Sequence, residues 1–343
     1  KAYSLIEDTL RTEIRSFATS SDLAGSRVEA MEKLVLLTSD LPVANMAHWE
    51  YVIRYELFLA NSKHVDAKRN WLRSIFAFTT AKDVKRTRIL SWIDLCDGDG
   101  YTRERALRTL AGPAPNAFFF ALIARRLNDW VPQVRSAARK TVQTVAGATS
   151  SKDVVTALCA LLPAWFSWGR MDESDQQTII DLIAIRGVAQ EFMNRVIFSA
   201  MGPMPEVLSQ ILRTSVLDDY LADIAKRAVQ PTVRAKAYKV LLLRKATWVE
   251  GAQWRWKDLR YGKGRSEKTH GSRALTIAPV FLDTLNAAAS DRSAIVRRVA
   301  SEALVREMNN PEIPVLVFAR RFAEDRSPSV ASRGKFVLKE LGF

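Results

Sequence analysis

Asn128-Asp129-Trp130-Val131-Pro132-Gln133-Val134-Arg135-Ser136-Ala137-Ala138-Arg139 reads as a turn followed by the start of a helix. Asp129 is suited to cap it, Pro132 suits a first helical turn, and Val134 and Ala138 share one face. The stretch matters because it recurs. Its frame is Asp, four residues, Val-Arg, two residues, Ala. Asp291-Val296-Arg297-Ala300 repeats it in full, and Asp97 to Ala106 repeats it with Thr102 before Arg103. Val233-Arg234-Ala237 keeps the second half, with Ala228 where the acid belongs. Asp325-Val330-Gly334 keeps the frame with Ala331 in the Arg position. The Val or Thr positions 102, 134, 233, 296 and 330 are spaced by 32, 99, 63 and 34 residues. The step of 99 is three periods of 33, and that of 63 is one period plus an insertion. A fixed period in the thirties is the mark of a stacked repeat array.

Working outward, helical periodicity dominates and strand signals are scarce, so the expected class is all-α. Residues 1–80 read as helices without the frame, either degenerate repeats or an N-terminal cap: Tyr3 to Phe17, Val28 to Leu37, Trp49 to Leu59 and Trp71 to Phe78. Residues 81–247 read as helix pairs, from Val84–Cys96 with Tyr101–Leu110 to Leu217–Ala228 with Pro231–Leu243. Residues 248–273 have no clear helical period and read as a long loop between repeats. Residues 274–343 return to pairs, Ile277–Ala288 with Ser293–Met308 and Pro314–Phe322 with Pro328–Leu341.

The frame resembles that of the HEAT family of paired-helix repeats, most specifically over 97–145 and 289–341. The resemblance implies a right-handed α-solenoid of HEAT-like helix pairs, about eight to ten of them, and no particular function. It also implies that the second helix of each pair lines a concave surface, and that the Arg after Val pairs with the turn Asp of a neighbouring repeat. On that reading Asp97, Arg103, Asp129, Val134, Arg135, Val233, Arg234, Asp291, Val296 and Arg297 are structural. Arg139, Lys140, Lys239 and Arg298, on the same second helices, are left to line a basic groove.

Charge points the same way. Lys and Arg total 51 against 37 acids, a net +14, which suits nucleic acid, an acidic membrane surface or an acidic protein. The excess concentrates between Gly251 and Arg273, where seven Lys or Arg face only Asp258 and Glu267. Trp254, Trp256 and Tyr261 are interleaved with Arg255, Lys257, Arg260, Lys263 and Arg265. Cations attract phosphates and flat rings stack on bases, so these residues are the candidate nucleic-acid contacts. The competing expectations are a solvated loop whose tryptophans pack back onto the repeats, or a protein-contact loop.

Chemistry is not signalled. Asp97-Gly98-Asp99-Gly100 opens like a calcium loop, but Tyr101 and Arg108 stand where oxygen ligands are needed. His48, His64 and His270 are in no metal spacing, and Glu267 stands where a dinucleotide fingerprint after Gly262-Lys263-Gly264 needs its third Gly. No phosphate loop of the GxxxxGK type and no GxSxG elbow occurs. No metal and no cofactor are expected. Cys96 and Cys159 make neither a disulfide framework nor a zinc site, which suits a reducing cytoplasm. Lys1 to Ala18 lacks the unbroken apolar core of a signal peptide, and no run is long enough to span a membrane. A first residue of Lys rather than Met is what a trimmed chain or a fragment would show.

The expectation is therefore a non-enzymatic binding module engaging DNA or RNA backbone. The alternative is a scaffold for an acidic protein partner. A third reading follows from a looser resemblance, to DNA glycosylases that remove alkylated bases and are built on HEAT-like repeats. No catalytic motif of those enzymes can be placed on this chain, so no catalytic residue is carried over.

Overall fold

The structure, a computed structural model, describes residues 2–19, 24–64 and 92–343. The expected helix Trp71 to Phe78 and most of Val84 to Cys96 lie outside them. The chain forms two compact units, Lys1–Leu161 with Trp168–Leu182, and Leu162–Ser167 with Ile183–Phe343. Both are predominantly helical.

In the first unit α1 (Ala2–Thr19) packs on α2 (Ala24–Ser39) and α3 (Met46–His64). Leu10, Ile14, Met31, Leu34, Val52 and Ile53 are buried between them. Then come α4 (Gly100–Thr109), α5 (Ala117–Arg126), α6 (Pro132–Ala148), α7 (Ser151–Leu161) and the start of α8 (Glu173–Ala184). Asp99 caps α4 through the Tyr101 and Thr102 amides. Asn116 caps α5 through the Phe119 amide. Helix α5 is the centre of this unit: Ala117 to Ala124 are all buried, so it carries no polar face. Helices α4 and α6 stack on each other while α5 packs on α6.

The second unit contains α9 (Arg186–Phe198), α10 (Met204–Ile211), α11 (Leu221–Arg227) and α12 (Pro231–Leu243). After a β-hairpin it continues with α13 (Phe281–Ala289), α14 (Ala294–Arg306), α15 (Val315–Ala323) and α16 (Pro328–Glu340). Helices pair in sequence, α11 with α12, α13 with α14 and α15 with α16. The second members also stack directly, α12 on α14 and α14 on α16.

The recurrent frame coincides with one recurrent geometry. Val134, Val233, Val296 and Val330 are each 0% exposed. The small residue four places on, Ala138, Ala237 or Ala300, is also fully buried and lets the helices of neighbouring layers approach. In the last copy that residue is Gly334. A Cβ there would stand 2.6 Å from the Phe322 carbonyl carbon, 2.7 Å from the Ala319 oxygen and closer still to the Ala323 nitrogen. Backbone cannot yield, so only glycine fits.

The Arg of the frame works in two directions. Its Nη1 donates back to carbonyls five and six residues earlier: Arg103 to Asp97 and Gly98, Arg234 to Ala228 and Val229, Arg297 to Asp291 and Arg292. Its Nε and Nη2 fork onto the turn Asp of the following copy: Arg103 on Asp129 at 2.9 and 2.7 Å, Arg234 on Asp291 at 2.8 and 2.9 Å, Arg297 on Asp325 at 2.6 and 2.9 Å. Each such Asp also accepts the amide two residues on, from Val131, Ser293 or Ser327. Asp129 thus closes the turn and does not cap α6, whose N-cap Val131 has no side-chain bond. Arg135 deviates: its Nη1 holds the Asp129 carbonyl at 2.9 Å, while its Nε lies 3.7 Å from Asp175.

Candidate nucleic-acid interface

Residues 248–273, expected as an irregular loop, are instead the greater part of an antiparallel β-hairpin. Strand β1 (Lys245–Asp258) pairs with β2 (Lys263–Ala274) through a four-residue turn, 259–262, in which Gly262 takes φ +60°. The chain is therefore mostly helical with one two-stranded sheet among the described residues. An isolated hairpin is marginal in water, so something must hold it. Two cross-strand contacts contribute: the Trp248 indole covers Gly271, directly opposite, and the Trp254 indole covers Gly264. A Cβ on Gly264 would stand 2.6 Å from Trp254 Cε2.

The base is fixed by a polar network. Arg273 forks onto the fully buried Asp218 at 2.8 and 2.6 Å and donates to the Leu212 and Thr214 carbonyls. Thr276 adds its amide and hydroxyl to Asp218, both at 2.9 Å. Burial alone would raise the Asp218 pKa, but the Arg273 fork and the Thr276 bonds outweigh it and hold the carboxyl below its usual range. On the other strand, Gln210 Nε2 and Arg213 Nη2 donate to the Val249 carbonyl, and Trp165 Nε1 donates to Gln210. The Arg213 guanidinium lies 4.7 Å from the Trp165 ring centre and 5.6 Å from that of Trp248. Lys236 on α12 is drawn into this base: its Nζ donates to the Thr247 carbonyl.

Beyond this base the ribbon is bare. From Ala252 to Trp256 every residue of β1 is exposed, and so is the whole turn. At about 3.3 Å per residue, the segment from Gly251 to Asp258 extends roughly 25 Å. Register sorts its side chains. Trp254 and Trp256 share one face with Ser266 and Lys268, their rings in T-shaped contact at 5.6 Å. Both are about half exposed, and Tyr261 in the turn is 75% exposed. On the opposite face Arg255 and Arg265 are direct cross-strand neighbours, a like-charge pair that Glu267 bridges at 3.3 and 2.6 Å. Bonding from Arg265 and then Arg255 lowers the Glu267 pKa. Two arginines thus share one carboxylate. Lys257, Arg260, Lys263 and Lys268 have no ion-pair partner among the described residues.

The cations expected in a groove fare differently. Arg139 is not free: its Nη1 lies 2.7 Å from the buried Asp175 and 3.4 Å from Asp172. Arg298 faces Glu302 on its own helix at 3.6 Å. Lys140 and Lys239 are exposed on α6 and α12. Lys239 and Arg298 lie on the stacked helices α12 and α14 of the hairpin's unit; Arg139 and Lys140 lie in the other unit. The anchoring residues Gln210, Arg213, Asp218 and Arg273 carry no sequence signal, because each is separated from its partner by tens of residues and is an ordinary polar residue locally. Among the described residues no group of His, Cys, Asp or Glu could hold a metal, and no helix is long and apolar enough to cross a membrane. Cys96 is fully buried and its thiol is pushed up to about 12, chiefly by that burial, so it is no nucleophile. No protein-family model matches the sequence, and neither does any curated protein.

Proposed function

We propose that the chain is an α-solenoid of HEAT-like pairs that carries a nucleic-acid-binding β-hairpin and does no chemistry itself. The repeated Asp–Arg fork and the stacking of second helices support the architectural half. One observation carries the functional half: beyond its anchored base the ribbon carries four exposed cations without ion-pair partners among the described residues and three exposed aromatic rings. Trp254 covers Gly264 yet stays half exposed, as does Trp256, and Tyr261 is exposed in the turn, so each ring keeps an open face. Bound to nucleic acid, those rings stack on bases while Lys257, Arg260, Lys263 and Lys268 meet phosphates. The anchored base pre-organises the ribbon, which reduces the ordering cost of binding.

The test replaces Lys257, Arg260, Lys263 and Lys268 with Ala and titrates labelled DNA and RNA. Each lost phosphate contact removes about 0.9 from the log–log salt slope on duplex DNA. The variant is expected to bind at least 100-fold more weakly at low salt with its helical signal unchanged. Equal binding by variant and native protein would remove the hairpin from the interface. Binding of an acidic polypeptide with no binding of DNA or RNA would instead assign the same cations to a protein partner.

A further inference from the structure

The other unit holds a second concentration of positive charge that the hairpin reading does not use. A cavity of about 400 Å³ opens among α3, α5 and the turns before α4 and α6. Five arginines line it, Arg54, Arg103, Arg125, Arg126 and Arg170, against two carboxylates, Glu50 and Asp129. Both carboxylates are already saturated. Asp129 takes the Arg103 fork, Arg126 Nη1 at 3.0 Å and the Val131 amide. Glu50 takes Arg54 Nη2 at 2.8 Å, Arg125 Nε at 2.9 Å and Arg126 Nη2. Burial alone would raise Glu50, yet Arg126 and Arg125 outweigh it and bring its pKa to about 2, so it stays ionised and cannot relieve the excess by taking up a proton.

Donors remain after this accounting. Arg54 Nη1 and both terminal nitrogens of Arg125 have no hydrogen-bond partner among the described residues. Arg170 has no ion pair there at all; its guanidinium carbon sits over the Trp130 ring, 3.4 Å from the ring centre. Stacking holds that fork in one orientation, and the Arg170 amide is itself tied to Asn128 at 3.0 Å. Trp168 lines the same cavity, and Trp130 is 77% exposed at its mouth. Uncompensated positive charge in a recess raises the free energy of the empty site and is relieved by an anion. A planar fork with free donors matches phosphate oxygens, and flat indoles match a ring. The volume lies within the range of about 300–1,000 Å³ usual for small-ligand sites.

We propose that this cavity binds a phosphate group carried on a nucleotide, with Arg125 and Arg170 as its principal donors and the indoles of Trp130 and Trp168 against the ring. The nucleotide is either free or the phosphorylated end of a strand; the chemistry recognised is the same. The inference does not rest on the hairpin, whose alanine variant leaves every residue of the cavity in place.

Isothermal titration of the full chain with inorganic phosphate, AMP and adenosine tests it, alongside anisotropy with one oligonucleotide with and without a 5′-phosphate. Native protein is expected to bind AMP more tightly than phosphate and not to bind adenosine. Arg170→Ala removes a side chain with no carboxylate partner and is expected to leave the melting temperature unchanged while weakening AMP at least tenfold. Arg125→Gln provides a second variant that should also weaken AMP at least tenfold, with a lowered melting temperature because it takes Arg125 Nε from the buried Glu50. A preference for the 5′-phosphorylated strand that Arg170→Ala abolishes assigns the site to strand ends; AMP binding without that preference assigns it to free nucleotides. If neither variant alters binding of phosphate, AMP or the 5′-phosphorylated strand, or if none of the three binds, the proposal is overturned.

Discussion

Substituting Asp291 with Asn should be far more damaging than its position in a turn suggests. Asp291 and Arg234 are 9% and 2% exposed at the side chain, and their fork is bidentate. Burial would raise the Asp291 pKa, but Arg234 and the Ser293 amide outweigh it, so the carboxyl stays ionised. Asn keeps an acceptor for the Ser293 amide and removes only the charge, leaving a guanidinium buried and uncompensated. Breaking a buried pair in this way costs about 3–5 kcal/mol. Arg234→Met should cost as much or more, because it also strips the bonds to the Ala228 and Val229 carbonyls, worth about 1 kcal/mol each. In the double variant no orphaned charge remains, so its cost should fall short of the sum of the two single costs by about 2–3 kcal/mol. The control is Asp223→Asn, which breaks the exposed pair with Arg227 and should cost under about 1 kcal/mol. Native-state hydrogen exchange over Pro231–Leu243 gives the local free energy, and thermal unfolding by circular dichroism gives the global one. If Asp291→Asn costs no more than Asp223→Asn, or the double-mutant cycle shows no coupling, the fork does not fasten one layer to the next and the reasoning fails.

Other expectations follow from the same structure. Gly334→Ala places a Cβ among backbone atoms of α15 and should cost about 1–3 kcal/mol, whereas Ala300→Gly at the equivalent site should lose about 1 kcal/mol; equal thermal shifts would contradict the close approach. Val134→Asp buries an unpaired charge between α4 and α6 and should lower the melting temperature sharply; a retained transition would displace Val134 from that layer. The pKa of Glu50 is depressed from 4.5 to about 2, so its ionisation stabilises the fold fully above pH 4.5 and that contribution is lost as pH falls toward 2. The difference amounts to about 3 kcal/mol, and Glu50→Gln should flatten the stability profile across that window while lowering stability at neutral pH. An unchanged acid profile would show that Glu50 is not the group titrating.

The helical part of the fold was legible because its signals are local. Pro132, Pro231 and Pro328 mark helix starts, the buried Val recurs with a small residue one turn on, and the turn Asp precedes both. The described helices accordingly begin and end within a few residues of where periodicity puts them. The hairpin was not legible although Ala252-Gln253-Trp254-Arg255-Trp256 alternates apolar and polar: with both sides of the distal half in water there is no buried face, and the density of charge and glycine around it reads as a loop. A usable signal was present in Thr247, Trp248 and Val249 leading toward Gly262, with glycines at 264 and 271 placed to receive tryptophans from the other strand. Among candidate contacts, the sequence could place Lys257, Arg260 and Lys263 together, but not Lys268 on the face of Trp254 and Trp256, since that requires the register. Nor could it reveal that Arg139 is occupied by Asp175, thirty-six residues away.

The central claim is that the anchored ribbon engages a phosphate backbone. The most direct measurement is a fluorescence-anisotropy titration of native protein with labelled duplex DNA, single-stranded DNA and RNA between 50 and 200 mM salt. Four phosphate contacts would lower affinity for the duplex by roughly 100-fold across that range. Binding that falls this steeply, and far less steeply once the four hairpin cations are replaced, is the predicted result. No binding at the lowest salt, or binding that salt does not weaken, would contradict it.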